Sequence, residues 1–313
     1  MRHIFYIDPL EKLNLKKDSS LLLALRAQER GDEVVVLFEK ELAWGNGVTT
    51  LKVHRISGKV ENFYLRDVAL TQTLEIAPHP GDVIHMRLDP PFDGRYLRYL
   101  WLLDQWERKG VRVVNRPRGI MQFNEKLCAY QRPDAVPSWV GEDAAGFQRF
   151  CQELTAKGVQ EIVLKPLDLY SGIGVEKWEL DHPKLQERFR IKAHELQGPI
   201  VAQSFMPEVR AGEIRALYFK GEHLGSILKK PKAGEFISNI AQGAAFEAVE
   251  LSARVQAKCQ QICSELTSEG VDWVAFDILG ETPTEVNITC PGLLVEVCYA
   301  HQKDLAGRIL ELL

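Results

Sequence analysis

Apolar residues near the N-terminus repeat with the two periods that define strands and helices. HIFYI (3–7) and EVVVLF (33–38) are short apolar runs typical of buried strands. Between them, SSLLLALRAQERG (19–31) repeats its apolar residues as a helix does, and Asp18 or Ser19 can cap its first turn. A strand–helix–strand order of this kind predicts a parallel α/β sheet.

The next segment adds further elements to the same lobe. Residues 44–70 alternate polar and apolar positions, which predicts antiparallel strands. DVIHMRLDPPFDG (82–94) predicts a strand that runs into a proline-rich loop, RYLRYLWLLDQWERKG (95–110) a helix, and VRVVN (111–115) another strand. We therefore predict that the first lobe ends near residue 124.

A second lobe is predicted from the pattern that follows. NEKLCAYQ (124–131) predicts a short helix that Asn124 can cap, and AAGFQRFCQELTAKG (144–158) is an amphipathic helix. EIVLKPLDLYSGIGVEKWEL (161–180) has the pattern strand, loop, strand, which indicates a hairpin. PIVAQSFMPEV (199–209) predicts a strand that leads out of this lobe.

The last lobe has the pattern of two hairpins and one long helix. EIRALYFKGEHLGSILKK (213–230) predicts a hairpin that turns at Lys220–Gly221. A helix is predicted over about 250–269. VDWVAFDILGETPTEVNIT (271–289) then gives two apolar strands joined by a turn.

Three oxygen-bearing side chains, Asp277, Glu285 and Asn287, interrupt the apolar strands of this last hairpin. Side chains alternate across a strand, so Glu285 and Asn287 share a face, and registers that set Asp277 opposite either residue bring all three together. Carboxylate and amide oxygens suit Mg²⁺ that is held jointly with phosphate oxygens. A solvated sheet face is the alternative, but the neighbouring VAF and VNI imply burial, and buried anions need partners.

Lysines and glycines in the second lobe suggest a phosphate site. Lys165 ends an apolar strand, and the loop after it contains Ser171, Gly172 and Gly174. Glycines let backbone N–H groups approach a phosphate closely, and a lysine supplies a positive charge. A hairpin turn with an exposed lysine explains the segment equally well. Lys126 in NEKL is, taken alone, an ordinary surface lysine near a helix start.

Two further segments complete a candidate nucleotide site. AQSFMPE (202–208) is a strand edge whose backbone could bond an adenine between Phe205 and Met206, although an ordinary connector is the simpler interpretation. Arg215 faces the same way as Glu213 and could clamp a phosphate or pair with a carboxylate. In this order, two lysines, a connector strand, an arginine and an acidic hairpin can sandwich ATP·Mg²⁺ between two lobes.

The bulk composition of the 313 residues removes several other classes of function. Hydrophobic residues make up 45% and charged residues 26%, a globular mix, and the net charge of −4 favours neither nucleic acid nor an anionic membrane. No apolar run approaches the roughly 20 residues of a membrane span, and the start turns polar too soon for a secretory signal. Six cysteines without a CxxC pair indicate free thiols in a reducing cytoplasm. A dehydrogenase is disfavoured, since no dinucleotide fingerprint follows the first strand.

Nearly end to end, the chain resembles the bacterial glutathione synthetases of the ATP-grasp superfamily. The motifs that carry the resemblance occur in order and at fitting spacing: IDPLEKLNLKKDSS (7–20), RLDPPFD (87–93), VNRPRGI (114–120), NEKL (124–127), VLKPLD (163–168), AQSFMP (202–207), the strand with Arg215, FDILG (276–280) and TEVNITCPG (284–292). The resemblance implies an α/β (α+β) ATP-grasp fold behind an N-terminal parallel-sheet domain. Its domains would be an N-terminal substrate-binding domain (1–124), an ATP-grasp small, or lid, subdomain (125–205) and a C-terminal catalytic subdomain (206–313).

The resemblance also implies roles for matching residues. Arg215 and Lys165 would be catalytic, and Asp277, Glu285 and Asn287 would hold Mg²⁺, or Mn²⁺ in its place. The nucleotide would be bound by Lys126, Lys165, Ser171, Gly172, Gln203, Ser204, Phe205, Met206 and Arg215. The acceptor peptide would be bound by Lys17, Asp18, Ser19, Arg87, Asp89, Lys229 and Asn239.

The implied activity is an ATP-dependent carboxylate–amine ligase that works through an acyl phosphate, with γ-glutamylcysteine and glycine as substrates. Small peptides or amino acids would be the partners, and homo-oligomers are expected by analogy. A mobile lid would exclude water from the acyl phosphate, with loops 168–174 and 231–246 as candidates.

The chain departs from the family pattern at three places. The loop after KPLD is poorer in glycine, Ile237 replaces an arginine expected to meet substrate, and CPGLLVEVC (290–298) replaces a polar, basic stretch. Loss of a carboxylate-pairing arginine should change which substrate is held. Two alternatives therefore remain: a ligase for a different small peptide or amino-acid conjugate, and a nucleotide-binding protein without ligase activity.

Overall fold

A computed structural model describes residues 1–170, 172–230 and 245–313, and this part of the chain folds around three β-sheets with helices packed against them. Ser171, Asn239 and Ile237 lie outside the described residues, as does nearly all of the proposed lid segment 231–246. The predicted α/β architecture is confirmed. In the described ranges, the helices are too short or too polar to cross a membrane.

The first sheet is mixed and lies in the N-terminal third of the chain. Its strands are β1 (Arg2–Ile7), β2 (Glu33–Phe38), β3 (Leu51–Glu61), β4 (Tyr64–Ile76), β5 (Asp82–Arg87) and β6 (Arg112–Val114). They are arranged in the order β4-β3-β2-β1-β5-β6. The pairs β1–β2, β1–β5 and β5–β6 are parallel, whereas β3 and β4 form the predicted antiparallel addition. Three helices accompany the sheet: α1 (Ser19–Glu29), α2 (Gly94–Arg108) and α3 (Pro117–Gln122).

Side-chain caps explain where the first two helices begin. The Leu21 amide donates to Asp18 Oδ1 at 2.8 Å, and the Tyr96 amide donates to Asp93 Oδ1 at 2.8 Å. Each aspartate thereby satisfies a backbone N–H group that the first helical turn leaves unpaired. The cap at Asp18 fixes the loop that enters α1.

The second sheet is antiparallel and belongs to the middle of the chain. Its strands, arranged in the order β7-β10-β8-β9, are β7 (Ser138–Gly141), β8 (Glu161–Pro166), β9 (Glu176–Glu179) and β10 (Ile200–Ser204). Helices α5 (Ala144–Ala156) and α6 (Leu185–Leu196) pack on this sheet, whereas α4 (Leu127–Tyr130), which precedes it in the sequence, packs against the C-terminal part of the chain. The predicted hairpin of β8 and β9 is confirmed. Phe147 of α5 stacks on Phe189 of α6 with ring centroids 4.0 Å apart, which joins the two helices over the sheet.

The third sheet is antiparallel and forms the C-terminal part. In the order β13-β12-β11-β14-β15 it contains β11 (Glu213–Phe219), β12 (Glu222–Lys230), β13 (Ala245–Ala248), β14 (Trp273–Leu279) and β15 (Thr282–Asn287). Its helices are α7 (Ala253–Ser268), α8 (Leu294–His301) and α9 (Leu305–Leu312). Both predicted hairpins, the one turning at Lys220–Gly221 and the one at the C-terminal end, are confirmed.

The two faces of the third sheet belong to different cores. Tyr218 and Phe276 pack toward α7. Leu217 and Ala275, on the opposite face, join α8, α9 and α1 in a core that also contains Phe5 of the first sheet. The N-terminal and C-terminal sheets are therefore held together by one shared core, with α1 and α8 between them.

Candidate active site

One face of the third sheet changes from apolar to polar along its strands. Leu217 and Ala275 lie in the core shared with α1 and α8, and two residues further along the same face the side chains are Arg215 and Asp277. Residues two apart on a strand share a face, so this change is set by the sequence itself. The strand register sets Arg215 opposite Asp277, and Asp277 opposite Glu285.

The Asp277 carboxylate accepts hydrogen bonds on both oxygens. Arg215 Nε and Nη2 donate to Oδ1 and Oδ2 at 3.0 and 2.9 Å. Lys229 Nζ donates to Oδ1 at 2.9 Å, and Asn287 Nδ2 donates to Oδ2 at 3.0 Å. Burial alone would raise the pKa of Asp277, but the charges of Arg215 and Lys229 outweigh burial and hold the pKa below its ordinary value.

A second carboxylate lies beside this pair. Lys229 Nζ also donates to Glu213 Oε1, so the lysine bridges Glu213 and Asp277. Burial, followed by repulsion from Asp277, raises the pKa of Glu213 to about 7. Near neutral pH, Glu213 therefore alternates between its charged and neutral forms while Asp277 stays ionised.

Lys126 connects the edge of this face to the middle of the chain. Its Nζ lies 3.0 Å from Glu285 Oε1 and donates to the Leu169 carbonyl at 2.7 Å. The backbone before α4 is shaped by Asn124, whose Oδ1 accepts from the amides of Lys126 and Leu127. The predicted helix over 124–131 is thus shorter, Leu127–Tyr130, with Asn124 bonded just ahead of it.

Lys165 approaches the same place from the second sheet. Its Nζ donates to Gln203 Oε1 at 3.0 Å and lies 5.3 Å from the centre of the Tyr130 ring. Gln203 Nε2 in turn donates to Ser138 Oγ at 2.7 Å. Burial lowers the pKa of Lys165 to about 8, the attraction of Glu285 opposing this and the repulsion of Lys126 adding to it.

The segment predicted to meet adenine leaves the second sheet at its edge. The Ser204 amide donates to the Pro137 carbonyl and the Phe205 amide to the Glu161 carbonyl, both at 3.0 Å. Lys177 Nζ lies over the Phe205 ring, 4.7 Å from its centre. Met206 then begins the turn at which the Val209 amide bonds back to its carbonyl. These contacts fix the backbone of the segment that is predicted to bind adenine.

The loop after β8 is placed next to Lys126. Gly172 and Gly174 have positive φ angles of 76° and 70°, which side-chain-bearing residues rarely adopt. A Cβ on Gly174 would lie 3.0 Å from Pro166 Cγ. The Leu167 carbonyl accepts from Asn124 Nδ2 at 3.3 Å, so the loop closes onto the segment ahead of α4.

Of the residues predicted to bind an acceptor, Lys229 lies on the polar face itself, and others lie where the starts of α1 and α8 meet. The Leu294 amide donates to Ser19 Oγ at 3.0 Å, which joins the start of α1 to the start of α8. Arg87 Nε donates to Ser20 Oγ at 3.0 Å and Nη2 to the Pro291 carbonyl at 2.7 Å, and the guanidinium carbon lies 4.1 Å from the centre of the Trp273 ring. Arg87 thus positions the C-terminal chain instead of standing open to solvent.

Two further residues that are predicted to bind the acceptor flank this junction. Lys17 Nζ lies 3.4 Å from Glu296 Oε1. The Asp89 amide donates to Asp8 Oδ2 at 2.9 Å, and the Asp89 side chain is exposed. The structure therefore gathers Lys17, Asp18, Ser19 and Arg87 around the starts of α1 and α8, while Asp89 lies at the rim.

A cleft of about 120 Å³ opens beside Lys126. It is lined by Pro90, Phe92, Met121, Gln122, Phe123, Asn124, Glu125, Lys126, Leu167, Asp168 and Thr289. The walls come from all three parts of the chain. A ligand in this cleft would contact Lys126, which is paired with Glu285.

The donor set at the last hairpin suits a hard cation in part. Asp277 and Glu285 face each other across two strands, and Asn287 Nδ2 also donates to the Ala275 carbonyl at 3.2 Å, which leaves its Oδ1 for another partner. Oxygen donors of this type fit Mg²⁺. Asp277 is held by Arg215 and Lys229, so it would have to exchange one of them for the ion. Among the described residues, no group of three His, Cys, Asp or Glu side chains forms a metal site by itself.

Two carboxylates of the site were not singled out from the sequence. Glu213 precedes Arg215 by two residues, and period-2 alternation does place it on the same face. Glu125 Oε1 accepts from the Ile288 amide at 2.7 Å and from the Thr289 amide at 2.9 Å, which ties the segment before α4 to the end of β15. In the sequence, the one indication for Glu125 is that it precedes Lys126. Its local sequence is otherwise that of an ordinary solvated glutamate.

Family models match the chain almost throughout. The prokaryotic glutathione synthetase N-terminal domain matches residues 1–121, and the prokaryotic glutathione synthetase ATP-grasp domain matches residues 125–302. A glutathione synthetase of Parasynechococcus marenigrum (strain WH8102) is 32% identical over 326 residues, covering 99% of this chain and 98% of the relative. One of Shewanella oneidensis is 32% identical over 307 residues, covering 97% and 95%.

Solved structures with a similar fold include a synthetase, a macrocyclase and an ATP-grasp ligase. The D-cycloserine synthetase DcsG has a TM-score of 0.65 at 14% identity, covering 98% of this chain and 99% of that one. The macrocyclase MdnC of Microcystis aeruginosa, bound with precursor peptide MdnA, has a TM-score of 0.63 at 13% identity, covering 100% and 99%. The ATP-grasp ligase PsnB, complexed with a minimal precursor, has a TM-score of 0.61 at 17% identity, covering 99% and 97%. At these identities the likeness establishes the fold.

Proposed function

Because the chain belongs to the prokaryotic glutathione synthetase family and is an ATP-dependent ligase that forms an amide bond, we propose that it joins γ-glutamylcysteine to glycine. In the proposed reaction, a carboxylate oxygen of the dipeptide attacks the γ-phosphorus of ATP, and ADP leaves. The glycine nitrogen then attacks the acyl carbon, and phosphate leaves. No protein nucleophile takes part, so the protein acts by positioning and by charge stabilisation.

One observation carries the proposal: cations from the middle of the chain and from the third sheet converge on the carboxylates of the last hairpin. Lys126 lies 3.0 Å from Glu285, Arg215 is paired with Asp277, and Lys165 lies close enough for Glu285 to raise its pKa. Charges placed in this way can hold a triphosphate between the lobes and stabilise the oxygens of the transferred phosphoryl group. Lys126 and Lys165 are assigned to the phosphates, and Arg215 to the group in transfer.

The adenine is assigned to the segment from Gln203 to Met206. Its support is geometric, since this segment leaves the second sheet beside Lys165 and runs into the third sheet, where Arg215 lies. Ser171 and Gly172 of the glycine loop complete the proposed nucleotide site, and the part of that loop that is described lies against Lys126.

The proposed metal ligands are the side chains of Asp277, Glu285 and Asn287. Mg²⁺, or Mn²⁺ instead, would supply positive charge there that offsets the negative charge of the phosphates. Arg215, released from Asp277, would then donate to the phosphoryl group in transfer. The proposed pocket for the dipeptide consists of Lys17, Asp18, Ser19, Arg87, Asp89, Lys229 and Asn239. The proposed domains span residues 1–124, 125–205 and 206–313. We further propose a homo-oligomeric state and a cytoplasmic location, in which the six free thiols would persist.

A different small peptide or amino-acid conjugate is the second candidate, and α8 favours it. Val295 and Val297 are fully buried in the core shared with α1, so CPGLLVEVC is used for packing where a polar, basic stretch was expected. A carboxylate substrate bound there would meet fewer cations than the family pattern predicts, which changes selectivity among substrates.

Release of ADP, measured over a panel of carboxylate and amine pairs, tests both candidates. Turnover that requires γ-glutamylcysteine and glycine together supports the first candidate. Turnover with another pair, and none with these two substrates, rejects it in favour of the second. Mass spectrometry of the product identifies the amide that is formed.

A further inference from the structure

Glu296, in the first turn of α8, is a buried carboxylate without a hydrogen bond. Its residue is 1% exposed, and neither Oε1 nor Oε2 accepts a hydrogen bond from the described residues. A buried ionisable group in this condition costs free energy unless a partner compensates it. The proposed chemistry of the polar face does not use Glu296, so its partner has to be found elsewhere.

Lys17 is the cation nearest to this carboxylate. Its Nζ lies 3.4 Å from Oε1, longer than the roughly 2.7–2.9 Å of a charge-assisted hydrogen bond, and its side chain is 23% exposed. Burial raises the pKa of Glu296, and the charges of Lys17 and Arg215 act against this. A long, partly exposed side chain at this distance is a loose counter-ion that a better-placed cation can replace.

The position of Glu296 connects it to the acceptor side of the polar face. The Leu294 amide bonds to Ser19 Oγ, and Arg87 bonds to the Pro291 carbonyl, so the start of α8 is fixed against the start of α1. Arg215 of the polar face is near enough for its charge to affect Glu296. Glu296 therefore lies on a helix that packs both against α1, which follows the Lys17 loop, and against the third sheet, which carries Arg215.

We propose that Glu296 is a specificity-determining residue that binds the ammonium group of the carboxylate substrate. This inference rests on the proposed function. The substrate class is then an amino acid or peptide with a free primary amine close to a carboxylate. When its ammonium group bonds to Glu296, Lys17 is released and can meet the substrate's non-reacting carboxylate. A zwitterion satisfies both groups at once, whereas a substrate without the amine leaves Glu296 with its loose partner.

A purely structural role for Glu296 makes a different prediction. If the residue only balances the charge of Lys17, its loss would weaken all acceptors alike, with or without an amine. If it receives the ammonium group, its loss affects only acceptors that carry one. The ratio of the dissociation constants of two ligands that differ only in the amino group separates these cases, whereas absolute activity does not.

The test measures binding of γ-glutamylcysteine and of glutarylcysteine, which lacks only the α-amino group, by calorimetry in the presence of Mg²⁺ and a non-hydrolysable ATP analogue. We expect the wild-type protein to prefer the amino ligand. In Glu296→Gln the dissociation constant of the amino ligand should rise about 10- to 100-fold, with that of glutarylcysteine unchanged. Glu311→Gln, an exposed glutamate of α9, is the matched control and should keep the preference.

The inference is overturned if Glu296→Gln keeps the wild-type preference, or if the wild-type protein binds both ligands equally or neither. Lys17→Met should retain the preference, and its loss there alone would assign recognition to Lys17. Where Glu296→Gln fails to fold, Glu296→Asp withdraws the charge by one methylene group and should lower the preference part of the way. Preferential binding that Glu296→Gln abolishes, without any turnover on addition of glycine, would reject the proposed reaction and leave this inference standing.

Discussion

Arg215 and Asp277 form a bidentate ion pair across neighbouring strands, in which Nε donates to Oδ1 at 3.0 Å and Nη2 donates to Oδ2 at 2.9 Å. The pair lies where the face of the third sheet changes from apolar to polar. A planar guanidinium matches a carboxylate or a phosphate by the same fork of donors. Arg215 can therefore exchange Asp277 for a phosphoryl group with little change in its own geometry.

Replacing the guanidinium group of Arg215 by a group of the same charge should impair catalysis. Arg215→Lys retains a cation but cannot bond two oxygens in one plane, so we expect kcat to fall about 10²-fold. The affinity for ATP, measured by calorimetry, should change much less, since Lys126 and Lys165 remain. The control is Arg308→Lys, in an exposed ion pair with Glu222, which should leave kcat unchanged. An unimpaired kcat in Arg215→Lys would remove Arg215 from the transfer step.

The metal assignment predicts that Glu285→Gln loses activity without unfolding. The amide keeps the size of the side chain but removes a charged oxygen ligand, so kcat should fall by about two orders of magnitude or more, and the Mg²⁺ concentration for half-maximal rate should rise. ADP release measured over a Mg²⁺ titration checks both effects, with circular dichroism as the test of folding. Glu281→Gln, in the exposed turn of the same hairpin, should behave as wild type. Near-normal turnover at low Mg²⁺ in Glu285→Gln would place the ion elsewhere.

Local sequence patterns were enough to predict most of the strands. The hairpin that turns at Lys220–Gly221 is an example, because both strands alternate and the turn has a glycine with φ of 78°. Helix α6 (Leu185–Leu196) was missed, since its buried face is a narrow stripe that includes Lys192. The contact between α1 and α8 joins residues such as Ser19 and Leu294, 275 positions apart, and no local pattern indicates it.

The residues of the candidate site could be predicted from the sequence, but the pairing register of the strands that carry them could not. Asp277, Glu285 and Asn287 could be identified as unusual polar residues in apolar strands. Their pairing depends on an irregularity between Asp277 and Ile278, which shifts the register and cannot be derived from the length of the turn. Glu296 was overlooked for a related reason: within CPGLLVEVC a single glutamate resembles the solvated position of a helix, and only packing against α1 buries it.

The depressed pKa of Lys165, about 8, predicts a pH-dependent affinity for ATP. Above pH 8 the free enzyme holds this amine increasingly in its neutral form, whereas a bound triphosphate favours the charged form and raises its pKa. Binding should therefore take up protons between about pH 8 and 9, and affinity should fall as the pH rises through this range. Calorimetry in two buffers of different ionisation enthalpy measures the uptake.

Two variants decide whether Lys165 is the source of that uptake. Lys165→Met should abolish it and flatten the pH dependence, whereas Lys157→Met, an exposed lysine at the end of α5, should leave both unchanged. Proton uptake that persists in Lys165→Met would assign the titration to another group.

The hydrogen bonds of Asn115 join the first and third sheets, and their contribution to the free energy of unfolding can be predicted. Its Nδ2 donates to the Trp273 and Ile288 carbonyls, both at 2.8 Å, and its Oδ1 accepts from the Trp273 amide at 2.7 Å. The residue is 3% exposed, so Asn115→Ala would leave three backbone groups unpaired away from water. At about 1 kcal/mol or more for each group, the free energy of unfolding should fall by roughly 3 kcal/mol. Chemical denaturation should show a lower midpoint with an unchanged slope, because the surface exposed on unfolding stays the same. Asn46→Ala, at an exposed position, is the control, and a loss in Asn115→Ala no larger than in that control would mean that the sheets are held by the shared core alone.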